Sequence, residues 1–382
     1  MRQPPQTPIH STLMRGGTSK GPFFLASDLP SDVQLRDRVL LAVMGSPDAR
    51  QIDGIGGADP LTSKVAIVSR SARSEIDVDY LFAQVSIDRP FVDVTPNCGN
   101  MLAGVGPFAI ECGLIASRDP VTPVKIYMVN TGNVAVAHVP TPSGEVAYEG
   151  ETSIAGVPGT SAAIRIDFLN TAGSVCGALL PTGHSIDEIG GIEATLIDNG
   201  MPVVVLRAAD LGKSGSESPA ELDSDKKFKS RLEEIRLLAG ERMGLGDVSS
   251  KVVPKMTLIA PPHNGGDLST RTFIPHKCHA AIGVLGAVTV GTACVLPGSV
   301  ASGIVPATGG SVKRISVEHP SGEFSLEVEV EDTTSNRLQV RRSSLIRTAR
   351  ALFRGDVLVP ASIWDGSDTN PPAAHSQTMK SA

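Results

Sequence analysis

Aromatic residues are scarce in this chain: ten Phe, three Tyr and one Trp amount to 4% of it. No run of Lys and Arg accompanies them, and the formal net charge is −6. Single-stranded nucleic acid is held by aromatic stacking along a basic groove, so nucleic acid is not expected as a partner. Cysteine is sparse too. Cys98, Cys112, Cys176, Cys278 and Cys294 are odd in number, widely spaced and never in a CxxC pair. That excludes a disulfide framework and reads as reduced thiols in a cytoplasmic protein. Long apolar runs are missing. The longest, Ala280 to Leu296, falls short of the roughly 20 residues that a membrane-spanning helix needs. It is crowded with Gly, Ala and Thr and reads as a buried helix. The opening stretch, MRQPPQTPIHSTLMRGG, holds no apolar segment of the kind a secretory signal carries. A membrane partner is therefore not expected. HExxH, EF-hand and Rossmann patterns are absent as well.

Glycine, by contrast, is abundant at 39 residues, with 28 Pro, in a chain of 382. That length exceeds one ordinary core and predicts two domains. In the first half, residues 11–26 read as strand, Gly-rich loop and strand. Ser31 is placed to cap a helix reaching Met44, with Leu35, Val39, Leu40 and Val43 at helical spacing. Residues 50–63 form a loop with Gly54, Gly56 and Gly57. Lys64 then stands at the entrance of an apolar strand over 65–68, and 80–87 is the next strand. Asn97, Cys98 and Gly99 precede a run over 101–110 that is apolar all round, a buried helix that Pro107 should shorten or kink. Strands follow at 124–129, 133–139 and 162–168.

The second half repeats this plot. Strands are predicted over 175–180, 202–206, 256–260 and 271–274, with a loop over 197–200 and one charged surface helix over 219–241. Cys278 precedes a second small-residue helix over 280–293, and 312–330 reads as a hairpin turning at Pro320, Ser321 and Gly322. NCGNMLAGVGPFA and KCHAAIGVLGAVTV thus run in parallel. An internal duplication with pseudo-two-fold symmetry follows, with both helix N-termini facing one cleft. The domains would span 1–174 and 175–365, and the polar, Pro-rich 366–382 would be a disordered tail.

Several side chains can carry chemistry. A thiol just ahead of a helix meets free N–H groups and the positive end of the helix dipole, which suits Cys98 as nucleophile or proton shuttle. The plainer reading is a small buried Cys that only packs. Asn97 and Asn100 can bond a substrate carboxylate, and the N–H groups of Gly99 and Asn100 suit an oxyanion. Lys64 can serve as a base if desolvated near other cations, for which Arg15 and Lys20 are candidates; otherwise it is an inert surface lysine. The loop Met14–Gly21 offers Arg15, Ser19 and Lys20 to a carboxylate but lacks the P-loop spacing. His276, Cys278 and His279 do not have a zinc ligand spacing. His279 and Arg271 fit better as a polar lid on an anion site, with Ala280 opening the second helix.

The segments TLMRGGTSKGPFF, MGSPDARQIDGIGGADPLTSKVAIV and NCGNMLAGVGPFA together resemble the aconitate-type isomerases that include 2-methylaconitate cis-trans isomerase. VDYLFAQV, CGALLPTG, IDNGMPVVVL, FIPHKCHAAIGV and VEHPSGEF extend the likeness over residues 10–360. Its strongest part is to tautomerases of bacterial gallate and protocatechuate breakdown. The resemblance implies an α+β, diaminopimelate-epimerase-like fold: two pseudo-symmetric domains, each a curved, mostly antiparallel sheet wrapped around a central helix, with the active site between them. It implies a 1,3-proton shift on a small polycarboxylate, with Lys64 and Cys98 as the acid/base pair. No metal, flavin or pyridoxal cofactor is implied. Diaminopimelate epimerases pair two cysteines, whereas this family pairs lysine with one, which makes Cys278 accessory. A homodimer is the assembly compatible with this reading. Aconitate or 2-methylaconitate is the rival substrate, and a silent anion-binding protein the rival of another class.

Overall fold

The computed structural model describes residues 6–169, 171–305, 310–332 and 338–367. The tail expected over 366–382 therefore lies, from residue 368 on, outside the described residues. The chain forms two units. The first takes in the chain up to Ser153, Val157–Ile166 and everything from Arg347 onward; the second takes in Ile154–Gly156 and Asp167–Ile346. The sequence reading placed the division at 174/175. The chain changes unit at 166/167 and returns at Arg347 because a late strand belongs to the first sheet, as described next.

In the first unit β1 (Gln6–Gly16), β2 (Ser19–Leu25), α1 (Val33–Met44), β3 (Lys64–Arg70), β4 (Val78–Val85), β5 (Val92–Asp93), α2 (Gly99–Glu111), β6 (Val121–Met128) and β7 (Asn133–Pro140) follow in order. Then β8 (Ile164–Phe168) leads into the second unit. There β9 (Asp187–Ile189), β10 (Ile192–Asp198), β11 (Pro202–Arg207), α3 (Pro219–Ser224), α4 (Lys226–Arg242), β12 (Lys255–Ala260), β13 (Leu268–Phe273), α5 (Val284–Val295), β14 (Val312–His319), β15 (Gly322–Asp332) and β16 (Leu338–Arg347) follow. Last, β17 (Ala349–Pro360) returns to the first unit and pairs antiparallel along the whole of β1, from Gln6↔Pro360 to Gly16↔Ala349.

The expected duplication is present in the strand connections. In the first unit β1–β2 is antiparallel, β2–β3 parallel, β3–β4 antiparallel, β4–β6 parallel and β6–β7 antiparallel. In the second, β10–β11, β11–β12, β12–β13, β13–β14 and β14–β15 repeat that alternation. Helices fall at matching places. α1 and the α3/α4 pair sit between the second and third strands of each set, and α2 and α5 between the fourth and fifth.

Each unit is built around a helix of small apolar residues. α2 touches β1, β2, β3, β4, β6, β7 and β17; α5 touches β10, β11, β14 and β15. Glycine permits the approach. A Cβ on Gly104 would stand 2.6 Å from the Phe23 ring, and one on Gly106 2.6 Å from Val139. On the other face of the first sheet, Val39, Leu40, Val43 and Met44 of α1 pack with Val65 and Ile67 of β3. In the second unit Leu232, Ile235 and Ala239 of α4 pack with Met256 and Leu258 of β12.

Local details depart from the sequence expectations. Asp32, not Ser31, caps α1, accepting Leu35 N–H at 2.7 Å. α2 continues through Pro107 to Glu111. The strand expected over 175–180 is a turn, because Asp198 Oδ2 accepts both Val175 and Cys176 N–H at 2.7 Å. β10 runs to Asp198 and shortens the loop expected over 197–200. The charged helix over 219–241 is two helices. Asp225 ends one and caps the next, accepting Phe228 N–H at 3.0 Å. Among the described residues no helix is long and apolar enough to cross a membrane, and no group of three His, Cys, Asp or Glu could hold a metal ion.

Candidate active site

Strand parity decides which side chains meet at α2. Val65 and Ile67 pack on the α1 side, so Lys64, Ala66 and Val68 turn to α2. Lys64 Nζ reaches Cys98 Sγ at 3.5 Å and lies 5.2 Å from the centre of the Phe82 ring. Cys98 is the extended N-cap of α2, and its side chain makes no capping bond, which leaves the thiol to the lysine. Its carbonyl accepts Leu102 N–H at 3.0 Å, the first helical bond, so the Gly99, Asn100 and Met101 N–H groups precede it. The same carbonyl accepts the Tyr80 hydroxyl at 3.4 Å. Burial, and then the nearby thiol, raises the Tyr80 phenol well above its ordinary value and keeps it a donor.

The other candidates of the first unit divide sharply. Ser19, Gly21 and Phe23 share the face toward α2: Phe23 meets Gly104, and a Cβ on Gly21 would touch Met101. Ser19 is fully buried, and its hydroxyl has no protein partner among the described residues. Such a hydroxyl costs about 1–3 kcal/mol unless water or a ligand meets it. Asn97 Oδ1 is likewise buried and unpartnered, while its Nδ2 donates to Thr131. Lys20, however, alternates to the opposite face, and Arg15 is its cross-strand partner. They are not the cations beside Lys64; the pleat sends them away. The Arg15 guanidinium donates to Gly17 O at 2.9 Å, Thr348 O at 3.1 Å, Thr348 Oγ1 at 3.0 Å and Ser161 Oγ at 3.3 Å. The Asn100 amide is engaged at both ends, donating to Thr18 Oγ1 at 3.0 Å and accepting from Arg347 Nε at 3.1 Å. Its role in the structure is to clip the β1–β2 turn to α2, not to present a free amide.

In the second unit the helix expected to open at Ala280 begins at Val284, with Gly283 as its extended N-cap. His279 N–H goes instead to Thr272 O at 2.8 Å, and Cys278 bridges to Phe273, so this stretch folds back on β13. Pairing with the strand overrides the helix propensity of Ala280 and Ala281. Ala280 is exposed, and its carbonyl accepts Ser321 Oγ at 2.7 Å. His279 Nδ1 accepts Ala281 N–H at 2.9 Å, and His276 pairs with Glu233 at 3.3 Å. Cys278 N–H binds Asp223 Oδ1 at 2.8 Å, and burial, then Asp223, pushes its thiol up to about 11. The buried Arg271 donates to Glu217 O, to Ser269 Oγ at 3.2 Å and to Thr270 O at 2.8 Å. It braces the loop before α3.

A family model described as PrpF protein matches residues 6–360. The chain belongs to the PrpF family. It is 58% identical over 363 residues to the 4-oxalomesaconate tautomerase of Pseudomonas putida, covering 95% of this chain and 99% of that protein. It is 40% identical to the 2-methyl-aconitate isomerase of Shewanella oneidensis, over 94% and 98% of the two chains. A crystal structure of methylitaconate-delta-isomerase superposes with a TM-score of 0.81 at 34% identity, covering 98% of this chain and all of that one (100%). A hydroxyproline epimerase from Agrobacterium vitis, at 0.51 and 12% identity over 96% of each chain, shares the fold. This PrpF chain is an isomerase on the diaminopimelate-epimerase-like fold.

Reading the PrpF sequence alone missed Tyr80, Phe82, Gln51 and Arg347. Tyr80 and Phe82 carried a signal, since they alternate in VDYLFAQV and face the same way as Lys64 on the neighbouring strand. Gln51 and Arg347 lie in a loop and at a strand end, where no periodicity points to them.

Proposed function

We propose that this isomerase acts on 4-oxalomesaconate, catalysing a 1,3-proton shift with Lys64 and Cys98 as its acid/base pair. The observation that carries the proposal is the 3.5 Å contact of Lys64 Nζ with Cys98 Sγ at the N-terminus of α2. It stands in a chain 58% identical to a protein named for that reaction. An amine and a thiol in hydrogen-bond reach can share one proton; the group holding it is the acid and the other the base. Lys64 removes a proton from the carbon next to a carbonyl and an alkene. The dienolate takes a proton from Cys98 at the far carbon. Its charge falls on oxygens that need donors, and the first-turn N–H groups of α2 and the orphaned Ser19 hydroxyl suit them. Acid and base are both side chains, so the reaction proceeds without metal, flavin or pyridoxal group. Its setting is the cytoplasmic breakdown of gallate and protocatechuate in bacteria.

The test is the ultraviolet absorbance of 4-oxalomesaconate, 2-methylaconitate and 3-methylitaconate on mixing with dialysed protein. A rapid change with the first and a rate at least tenfold lower with the others is the expected result. Preference for either of the others overturns the substrate, and no change with any of them overturns the activity.

A further inference from the structure

The Gly-rich loop between α1 and β3 has an occupied interior. Gln51 is 1% exposed and holds a left-handed backbone, φ 48°, uncommon for a residue with a side chain. Its Nε2 donates to Ser63 Oγ at 2.7 Å and to Ser46 Oγ at 3.0 Å, and its Oε1 accepts Ala58 N–H at 2.9 Å. The loop glycines close on this amide and on the end of α1. A Cβ on Gly56 would lie 2.3 Å from Gln51 Oε1, and one on Gly54 2.1 Å from Gly45 N. Ser63 is then fixed from several sides. Its hydroxyl passes a bond to Val85 O at 2.8 Å, and its carbonyl accepts Gln84 Nε2 at 2.8 Å and Val85 N–H at 3.1 Å. The next residue is Lys64.

We propose that Gln51 is a positioning residue, acting through Ser63 to hold the Lys64 backbone where its amine meets Cys98. The inference rests on the acid/base reading above. A lysine side chain is long and flexible, so the placement of its root decides which thiol it reaches. A shift of about 1 Å in a reacting group can cost on the order of 100-fold in rate. An ordinary strand entrance needs no buried amide at a strained φ; this one has it where the proposed base begins.

Ser46→Ala and Ser63→Ala separate positioning from plain stabilisation, because each removes one hydroxyl from the same Gln51 Nε2. Expected is a fall in kcat of about 10-fold or more for Ser63→Ala with KM within twofold, and a wild-type kcat for Ser46→Ala. Gln51→Met, which removes all three bonds, should match Ser63→Ala wherever it folds; if it does not fold, the serine pair decides. A wild-type kcat in Ser63→Ala overturns the inference. So do equal losses in both serine variants that follow only the folded fraction. Lys64→Ala run in parallel tells the two readings apart. Wild-type turnover there overturns the acid/base assignment itself, while a dead Lys64→Ala beside a fully active Ser63→Ala overturns only the role of Gln51.

Discussion

Lys64 Nζ and Cys98 Sγ face each other at 3.5 Å although 34 positions separate them in the chain. One stands on the first residue of β3 and the other is the residue before α2. They meet because the sheet of the first unit wraps α2, which brings strand entrances to the helix N-terminus.

Lys64→Ala is expected to lose about 10²–10⁴ in kcat, the usual cost of a positioned base. The protein should stay folded, since Lys64 is only half-buried. Its contact with the Phe82 ring is worth roughly 0.5–1 kcal/mol at such a site. Turnover measured beside a thermal melt checks both halves. A well-folded variant with normal turnover would refute the assignment.

Cys98→Ser keeps the shape of the side chain but replaces the thiol by a much weaker acid. Net isomerisation should collapse. Lys64 remains able to remove the substrate proton, so exchange of that hydrogen with deuterated water, followed by NMR, should persist at a reduced rate. Loss of exchange together with turnover would show that Cys98 is needed before the first proton moves, as a covalent nucleophile is.

The other four cysteines should resist alkylation at pH 7.5. Burial is the main cause: it pushes Cys112 and Cys278 up to about 11, Cys176 to about 12, and Cys294 higher still. Thiols, unlike thiolates, react slowly. Iodoacetamide on the native chain should therefore leave these four unlabelled; any label should fall on Cys98, and a polycarboxylate substrate should slow it. Peptide mapping that finds labels spread over several cysteines would count against this arrangement.

Lys255 opens β12 as Lys64 opens β3, but burial alone pulls its amine down to about 8. An unfolded lysine titrates near ~10.4. Between those values the unfolded chain binds the proton more strongly, so stability rises with pH there; below them the charged amine is a constant penalty. Lys255→Met should therefore stabilise the fold at pH 7 by on the order of 1 kcal/mol once the solvated part of the side chain is discounted, seen as a raised melting temperature. That gain should fade as the pH climbs through 8 toward 10. A melting temperature at pH 7 no higher than wild type would contradict it.

The features that depend on near neighbours were legible in the amino-acid sequence. Cys98 ahead of an all-apolar helix, Lys64 before an apolar strand, and the repeat of NCGNMLAGVGPFA by KCHAAIGVLGAVTV rest on contacts one to four residues apart, which periodicity reports. Several placements rest instead on partners far away in the chain. The strand β17 joins β1 through pairs such as Gln6↔Pro360, and nothing local in residues 349–360 names that partner. His279 yields its helical place to a bond with Thr272. Lys20 and Arg15 are the cations the sequence offers to Lys64, yet the pleat turns them to the other face of the sheet. Gln51 reaches Ser63 only because the loop closes on itself. The sequence by itself determined which residue types could do this chemistry and which short segments carry them. The tertiary structure alone decided which of them share a face, because strand pairing and burial are settled by the whole packed unit and outweigh local propensity.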